Sequence, residues 1–292
     1  MRPAISFLLL VLLLSCGRRN TVSEEKDIIT VSIAPFSYFV TSIAGDDFEV
    51  NVMVPPGANP HIYEPAPGQI DRLIRSVAYI SNDYLGFEIT WLERFYSMNS
   101  EMLRVSLSKG IELIEPEHHH EGDHVEGADP HYWVSPANAL IMAATVRDLL
   151  ISLAPENSGR YEKNFKELAG KISELDIKAG ELFSQARGRA FMIYHPNLAY
   201  LARDYGLVEL AVETEGKEPN PAQFRSLIDR MGNEGIKFIL VQKEFDIKNA
   251  KAIADETDAE IVIIDPLSAD WYKAVDDIIE ALNEGFVKSV NN

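Results

Sequence analysis

From Asp27 onward, the apolar residues fall into short runs that alternate with stretches of helical period. Runs rich in β-branched and aromatic residues at 28–34, 48–54, 78–82 and 103–107 predict strands, and 36–44, 67–76 and 87–97 between them predict helices. A second set repeats the alternation, with strands over 190–195, 207–212, 236–242 and 260–265 and helices over 198–205, 221–233, 247–257 and 271–288. Phe238-Ile239-Leu240-Val241 and Ile261-Val262-Ile263-Ile264 are continuously apolar, as in strands covered on both faces. Strand–helix alternation of this kind predicts an α/β fold with parallel sheets, and its repetition predicts two similar lobes.

Between the two sets the period is helical throughout. Ser135-Pro136 reads as a cap followed by a first-turn proline, opening a helix that runs to about Leu153. Pro155 then opens a longer one. Tyr161, Phe165, Leu168, Ile172, Leu175, Ala179 and Leu182 follow one another at steps of four and three, one apolar stripe that ends before Gly188. Clean heptads with paired flanking charges are not evident, so the stripe does not predict a coiled coil. A helix of roughly 30 residues spans ~45 Å, enough to run the height of the protein between two lobes. The organisation expected is an N-terminal lobe over 27–135, linking helices over 136–187 including this backbone helix, and a C-terminal lobe over 188–292.

The N-terminus changes the picture of where the chain works. Arg2 precedes an apolar run over 5–14 that is too short to span a bilayer but fits the core of a signal peptide covering 1–15. The run ends in Leu13-Leu14-Ser15-Cys16-Gly17, which resembles a bacterial lipobox, with Cys16 as the acylated first residue and polar residues 16–26 as a tether. The chain is therefore expected to be exported and lipid-anchored to a membrane, facing the periplasm or cell surface. No other stretch reads as long and apolar enough to cross a bilayer. Cys16 is the single cysteine, so no intrachain disulfide can form, and metal chemistry must rely on His, Asp and Glu. With 27 Lys and Arg against 45 Asp and Glu, the formal charge of -18 argues against nucleic acid as a partner and attracts small cations.

Seven histidines divide into two kinds. His118, His119, His120 and His124 lie in a polar, acidic, glycine-containing tract over 117–127, which suits weak accessory metal capture. His61, His131 and His195 each sit at a strand-to-helix junction with proline close by, in Asn59-Pro60-His61, Asp129-Pro130-His131 and His195-Pro196. Such loops, beyond the carboxyl ends of strands, are where open α/β sheets bind ligands. Any one of these residues alone is more often structural than a ligand; the shared placement is what points to a site. Asp265, followed by Pro266, ends another strand and is a fourth candidate. Three neutral imidazoles and one carboxylate suit a tetrahedral zinc ion. A hydrolytic zinc site is the competing reading from another class, although the His-Glu-x-x-His and Gly-x-Ser-x-Gly motifs are absent.

Asn59-Pro60-His61-Ile62-Tyr63-Glu64-Pro65, a His- and acid-rich tract ending in Asp129-Pro130-His131-Tyr132-Trp133, Tyr194-His195-Pro196, Glu218-Pro219-Asn220-Pro221 and Asp265-Pro266-Leu267 occur in that order. Together they resemble the zinc/manganese solute-binding proteins of bacterial ABC importers, the ZnuA-like or cluster A-I family. The resemblance spans essentially the whole mature chain. It implies two (β/α) lobes joined by a rigid backbone helix, with the metal site between the lobes. It also implies ligand roles for His61, His131 and His195, and a monomer that is not an enzyme but serves a permease and its ATPase. Manganese-selective relatives place Glu at the third position, whereas this chain has His195, and imidazole favours zinc. A manganese- or iron-binding protein of the same fold is the alternative. The fourth position varies in the family, which makes Asp265 the least fixed of the ligands expected.

Overall fold

Both sets of apolar runs form parallel sheets in the computed structural model, which describes residues 26–115, 127–213 and 217–291. β1 (Ile28–Ile33), β2 (Glu49–Val54), β3 (Ser76–Ser81) and β4 (Leu103–Ser106) pair in the order β2-β1-β3-β4. β5 (Ala190–Ile193), β6 (Val208–Ala211), β7 (Phe238–Gln242) and β8 (Glu260–Ile264) pair in the order β6-β5-β7-β8. Every pairing is parallel. The winding reverses between β1 and β3 in the first lobe and between β5 and β7 in the second. A crevice opens past the carboxyl ends of the strands at each such reversal.

The first lobe carries α1 (Ala34–Ala44), α2 (Pro67–Ile74) and α3 (Gly86–Met98), and the second carries α6 (Ala199–Tyr205), α7 (Pro221–Glu234) and α8 (Lys248–Thr257). β1 and β5 are buried along their whole length: β5 is wholly apolar, and in β1 the buried hydroxyls of Thr30 and Ser32 are hydrogen-bonded, to Ser76 Oγ and to the Ile80 carbonyl. Between the lobes run α4 (Pro136–Leu153) and α5 (Ser158–Phe183). Ser135 caps α4 by accepting from the Asn138 N–H at 3.1 Å.

Two details depart from the sequence reading. Pro155 opens a 3-10 turn over Pro155–Asn157, so the backbone helix starts at Ser158 and its 26 residues span about 39 Å. And α4, with a mean hydropathy of 1.3 over 18 residues, is by length and composition long and apolar enough to cross a membrane. It is a core helix here: Ala139, Met142, Ala143, Val146 and Leu150 are buried, and the helix packs against α5 and α1.

The stripe on α5 is largely buried, from Tyr161 through Leu168, Ile172, Leu175 and Ala179 to Phe183. α9 (Trp271–Asn291) returns from the second lobe to lie on α5 and α1. One hydrophobic core therefore runs through both lobes, joining Phe36 and Trp133 to Tyr200 and Trp271. A separate apolar cluster, including Met192, Ile239 and Ile253, covers the other face of the second sheet.

Candidate metal centre

His61 lies in the loop after β2. Its N–H donates to Asn59 Oδ1 at 2.9 Å, and the carbonyl of Pro60 accepts from the Phe87 N–H at 3.2 Å, in the first turn of α3. Gly86 lies so close to this loop that a Cβ added there would fall 2.1 Å from the His61 carbonyl oxygen. Backbone cannot yield as a side-chain tip can. Gly86→Ala is therefore expected to destabilise the protein by about 1–3 kcal/mol and to weaken metal binding, although it touches no ligand atom. Thermal unfolding and zinc titration of this variant check both effects, and wild-type values in both would refute the contact.

His131 immediately precedes the 3-10 turn Tyr132–Val134. Asp129 Oδ1 accepts from its backbone N–H at 2.7 Å and stands 2.9 Å from its Nδ1. An ionised carboxylate only accepts, so Nδ1 carries the hydrogen and the Nε2 lone pair faces away from Asp129. Burial alone would raise the Asp129 carboxyl, but the charge and hydrogen bonds of His131 hold it below the ordinary carboxylate value.

The same loop is tied to α3. Asn82 Nδ2 donates to the Pro130 carbonyl at 2.9 Å, and Tyr132 Oη donates to the Asn82 carbonyl at 3.1 Å. The N–H groups of Asn82 and Asp83 donate to the two oxygens of Glu88, at 3.0 and 2.6 Å. Glu88 is fully buried in the first turn of α3, and burial pushes its carboxyl up to about 7. The start of this one helix thus holds the loops of both His61 and His131.

His195 follows β5. Its N–H donates to Gln242 Oε1 at 3.3 Å and its carbonyl accepts from Gln242 Nε2 at 2.5 Å, which fixes the loop to the end of β7. The ring stacks on Phe245, with centroids 4.9 Å apart and planes 18° apart. Glu213 Oε2 stands 3.4 Å from His195 Nδ1, an ion-pair distance without hydrogen-bond geometry, so this buried nitrogen has no hydrogen-bond partner.

The three rings meet between the lobes. His61 Nε2 lies 3.2 Å from His131 Nε2 and 3.2 Å from His195 Nε2. Two nitrogens bound to one tetrahedral zinc at ~2.0–2.1 Å stand about 3.3–3.4 Å apart, so the observed spacing nearly matches an edge of that tetrahedron. Among the described residues, these three form the group of His, Cys, Asp or Glu whose donor atoms all lie within 4.8 Å of one another. His61 Nε2 touches two ring nitrogens and carries at most one hydrogen for them. Burial first, and then the neighbouring His131 and His195, push the His61 imidazole down to about 3. A proton-bearing cation is disfavoured at His61, while a shared metal ion would satisfy all three lone pairs.

The rings open on a cavity of about 10 Å³, which Trp133, Asn197, Glu244, Phe245 and Leu267 also line. That is room for about one water-sized sphere.

Asp265 is not among the three. It follows β8, which β7 separates from β5, and its carboxylate pairs with Lys243 Nζ at 3.3 Å. Glu244 stands on the cavity wall instead, its carboxyl raised to about 7, by burial first and also by the nearby charge of Asp265. Neither Glu244 nor Asn197 stood out in the sequence. The available signal was that both come within four residues of the end of a buried strand, Ile193 for Asn197 and Gln242 for Glu244, but it has meaning only once β5 and β7 are known to be neighbours. Cys16 and the tract residues His118, His119, His120 and His124 lie outside the described residues.

Comparison with known proteins gives one consistent picture. Residues 29–285 match the model of the family described as ZnuA, zinc-uptake complex component A, periplasmic. The zinc-binding lipoprotein AdcA of Streptococcus pneumoniae (strain ATCC BAA-255 / R6) is 25% identical over 269 residues, covering 88% of this chain and 53% of the relative. The chain thus spans about half the length of that streptococcal protein. The high-affinity zinc uptake system protein ZnuA of Bacillus subtilis (strain 168) is 27% identical over 272 residues, covering 88% of this chain and 85% of the relative. Among solved structures, a crystal structure of ZnuA superposes with a TM-score of 0.82 at 34% identity, covering 89% of this chain and 99% of that one.

Proposed function

Because the chain belongs to the ZnuA family, we propose that it is an extracytoplasmic solute-binding protein that captures one zinc ion and delivers it to the permease and ATPase of an ABC importer. One observation carries this reading: His61 Nε2 stands 3.2 Å from both His131 Nε2 and His195 Nε2, near the spacing of ligands around a single tetrahedral ion, and the donor atoms of all three lie within 4.8 Å of one another. Asp129 sets the tautomer of His131 so that its lone pair faces the metal, as carboxylate partners of ligating histidines do. With imidazole rather than carboxylate at His195, the donor set favours zinc over manganese. The names of the relatives, a zinc-binding lipoprotein and a high-affinity zinc uptake protein, agree with that cargo.

Capture rather than catalysis is supported by the family match, whose description is of a zinc-uptake component. Cys16 would anchor the mature chain to the membrane by its lipid, which keeps the captured ion near the importer. The His-rich tract over 117–127 would raise the local concentration of zinc through weak, unscaffolded contacts.

Competition between zinc and manganese tests the assignment: zinc is expected to displace manganese at stoichiometric concentration, and equal affinities would refute it. The tract has its own test. Deleting 118–124 is expected to remove weak additional zinc equivalents in isothermal titration while leaving one tight site. Loss of the tight site in the deletion would mean that the tract supplies a primary ligand.

A further inference from the structure

A short helix of the second lobe touches both sides of the metal centre. α6 begins four residues after His195, and its Tyr200 is fully buried, with its ring 6.3 Å from that of Tyr132, the residue after His131. Tyr200 Oη donates to the Asp129 carbonyl at 2.7 Å and accepts from the Ile114 N–H at 3.1 Å. Asp129 is the residue whose carboxylate orients His131. Toward the end of the helix, Asp204 accepts from Ser135 Oγ, the cap of α4 just beyond His131. α6 is thus bonded twice to the segment 129–135. A carboxylate on the neighbouring strand ties the helix to its own lobe. Glu209, on β6 opposite Phe191 of β5, accepts from the Leu198 N–H at 2.6 Å, immediately before the helix. The Asn197 N–H also bonds to it. Burial pushes this carboxyl up to about 8, against the pull of the two N–H groups and with the nearby charge of Asp129 adding to it.

We infer that Glu209 is a positioning residue of the metal centre: it holds the chain at Asn197 and Leu198, so places α6, and through α6 orients both His195 and His131. The inference rests on the zinc-binding reading above and deepens it. Only Pro196 and Asn197 separate His195 from Leu198, and the proline ring fixes one of the dihedrals between them. Gln242 holds the His195 backbone on one side and Glu209 holds Leu198 on the other, which leaves the imidazole little freedom. The path to His131 runs from Leu198 along the first turn of α6 to Tyr200, and from its hydroxyl to the Asp129 backbone. Without an acceptor at position 209, two N–H groups lose this partner together, and the chain has to move for them to find another. A binding constellation must be held within about 0.5 Å of its productive geometry, so even a small shift of α6 reaches the ion.

Cobalt(II) in place of zinc gives the test, since its visible absorption reports the geometry of the ligands. Glu209→Leu keeps the side-chain bulk and removes both carboxylate oxygens, Glu209→Gln keeps a carbonyl acceptor, and Tyr200→Phe removes only a hydroxyl. Glu209→Leu is expected to alter the cobalt spectrum and to weaken zinc binding by about 10–100-fold, the range for residues that orient ligands. Glu209→Gln is expected to restore the wild-type spectrum and affinity. Tyr200→Phe is expected to weaken zinc binding as well. The double variant Glu209→Leu/Tyr200→Phe should lose less than the product of the two single losses, because both act through α6. A Glu209→Leu protein that unfolds more easily but keeps the wild-type spectrum and affinity overturns the inference. So does a Glu209→Gln protein no better than Glu209→Leu, or single losses that multiply in full. Should Glu209→Leu fail to fold, Tyr200→Phe decides alone, and a wild-type spectrum and affinity there overturn the inference. Failure of the wild type to bind one equivalent of cobalt, or its full retention in His61→Ala, would instead contradict the zinc-binding reading itself.

Discussion

Alanine in place of His61, His131 or His195 abolishes tight zinc binding, while Asp265→Ala leaves it close to the wild-type value. The asymmetry follows from placement. His61 Nε2 stands 3.2 Å from the Nε2 of each of the other two rings, and the three donor atoms lie within 4.8 Å of one another, so removing one leaves two donors and forces water to replace an imidazole. The loss should exceed the ~10–100-fold typical of removing a residue that only orients a ligand. Asp265 pairs with Lys243 and is not in the group of donor atoms within 4.8 Å of one another. Chelator competition on the four variants measures the effect, and an Asp265 loss as large as those of the histidines would contradict it. The pH dependence belongs to the same experiment. Three ordinary imidazoles near pKa ~6.5 would each let a proton compete with zinc between pH 7 and 5. His61 is pushed down to about 3 by burial and by its two neighbours, so it stays neutral throughout that window. Affinity should therefore fall on acidification less steeply than the tenfold per unit and per histidine that three unperturbed rings would give.

Trp133→Ala loses about 3–5 kcal/mol of stability, the usual range for emptying a large aromatic site, and damages zinc binding as well. Trp133 is fully buried in the core shared by the lobes, edge-on to Phe36 at 89° with ring centroids 6.4 Å apart. Its Nε1 donates to the Pro266 carbonyl at 2.9 Å, which ties the loop of His131 to the end of the second sheet. Its own carbonyl accepts from Trp271 Nε1 at 2.6 Å, at the start of α9. The ring also supports that of His131, with centroids 5.3 Å apart. Domains are stable by only about 5–15 kcal/mol, so the variant is expected to be marginal without metal. Zinc at 100 times the dissociation constant would restore about 2.7 kcal/mol, less any affinity lost through movement of His131. Denaturant unfolding with and without zinc measures both numbers, and a loss below about 1 kcal/mol would show that the lobes are held together elsewhere.

Most of the fold was legible in the sequence because both sheets are parallel and buried. Continuous apolar runs such as Phe238–Gln242 admit few readings once helices flank them, and the strand ends agree with the expected ones within about two residues. Three things were not legible, each for a physical reason. Pro155 suits the first turn of an α-helix and of a 3-10 turn equally well, and only packing decides between them. The apolar composition of α4 does not reveal whether lipid or protein covers it; here α1 and α5 do. The fourth corner of the metal centre depends on strand order. Asp265 and Glu244 both follow apolar strands and cannot be ranked until β7 is seen to lie beside β5, with β8 outside it. The histidines themselves were legible because each sits between a strand and a helix with proline close by. Their convergence comes from loops that α3 and Gln242 hold in place, through contacts between residues far apart in the chain.

X-ray absorption at the zinc edge tests the central claim most directly. The sample is protein lacking residues 118–124 and loaded with one equivalent of zinc, so that the tract cannot contribute imidazoles. The account predicts a four-coordinate ion with three imidazole nitrogens at ~2.0–2.1 Å and one oxygen. A shell with two or fewer imidazoles, or a six-coordinate shell dominated by oxygen, would contradict the reading of His61, His131 and His195 as a single zinc centre.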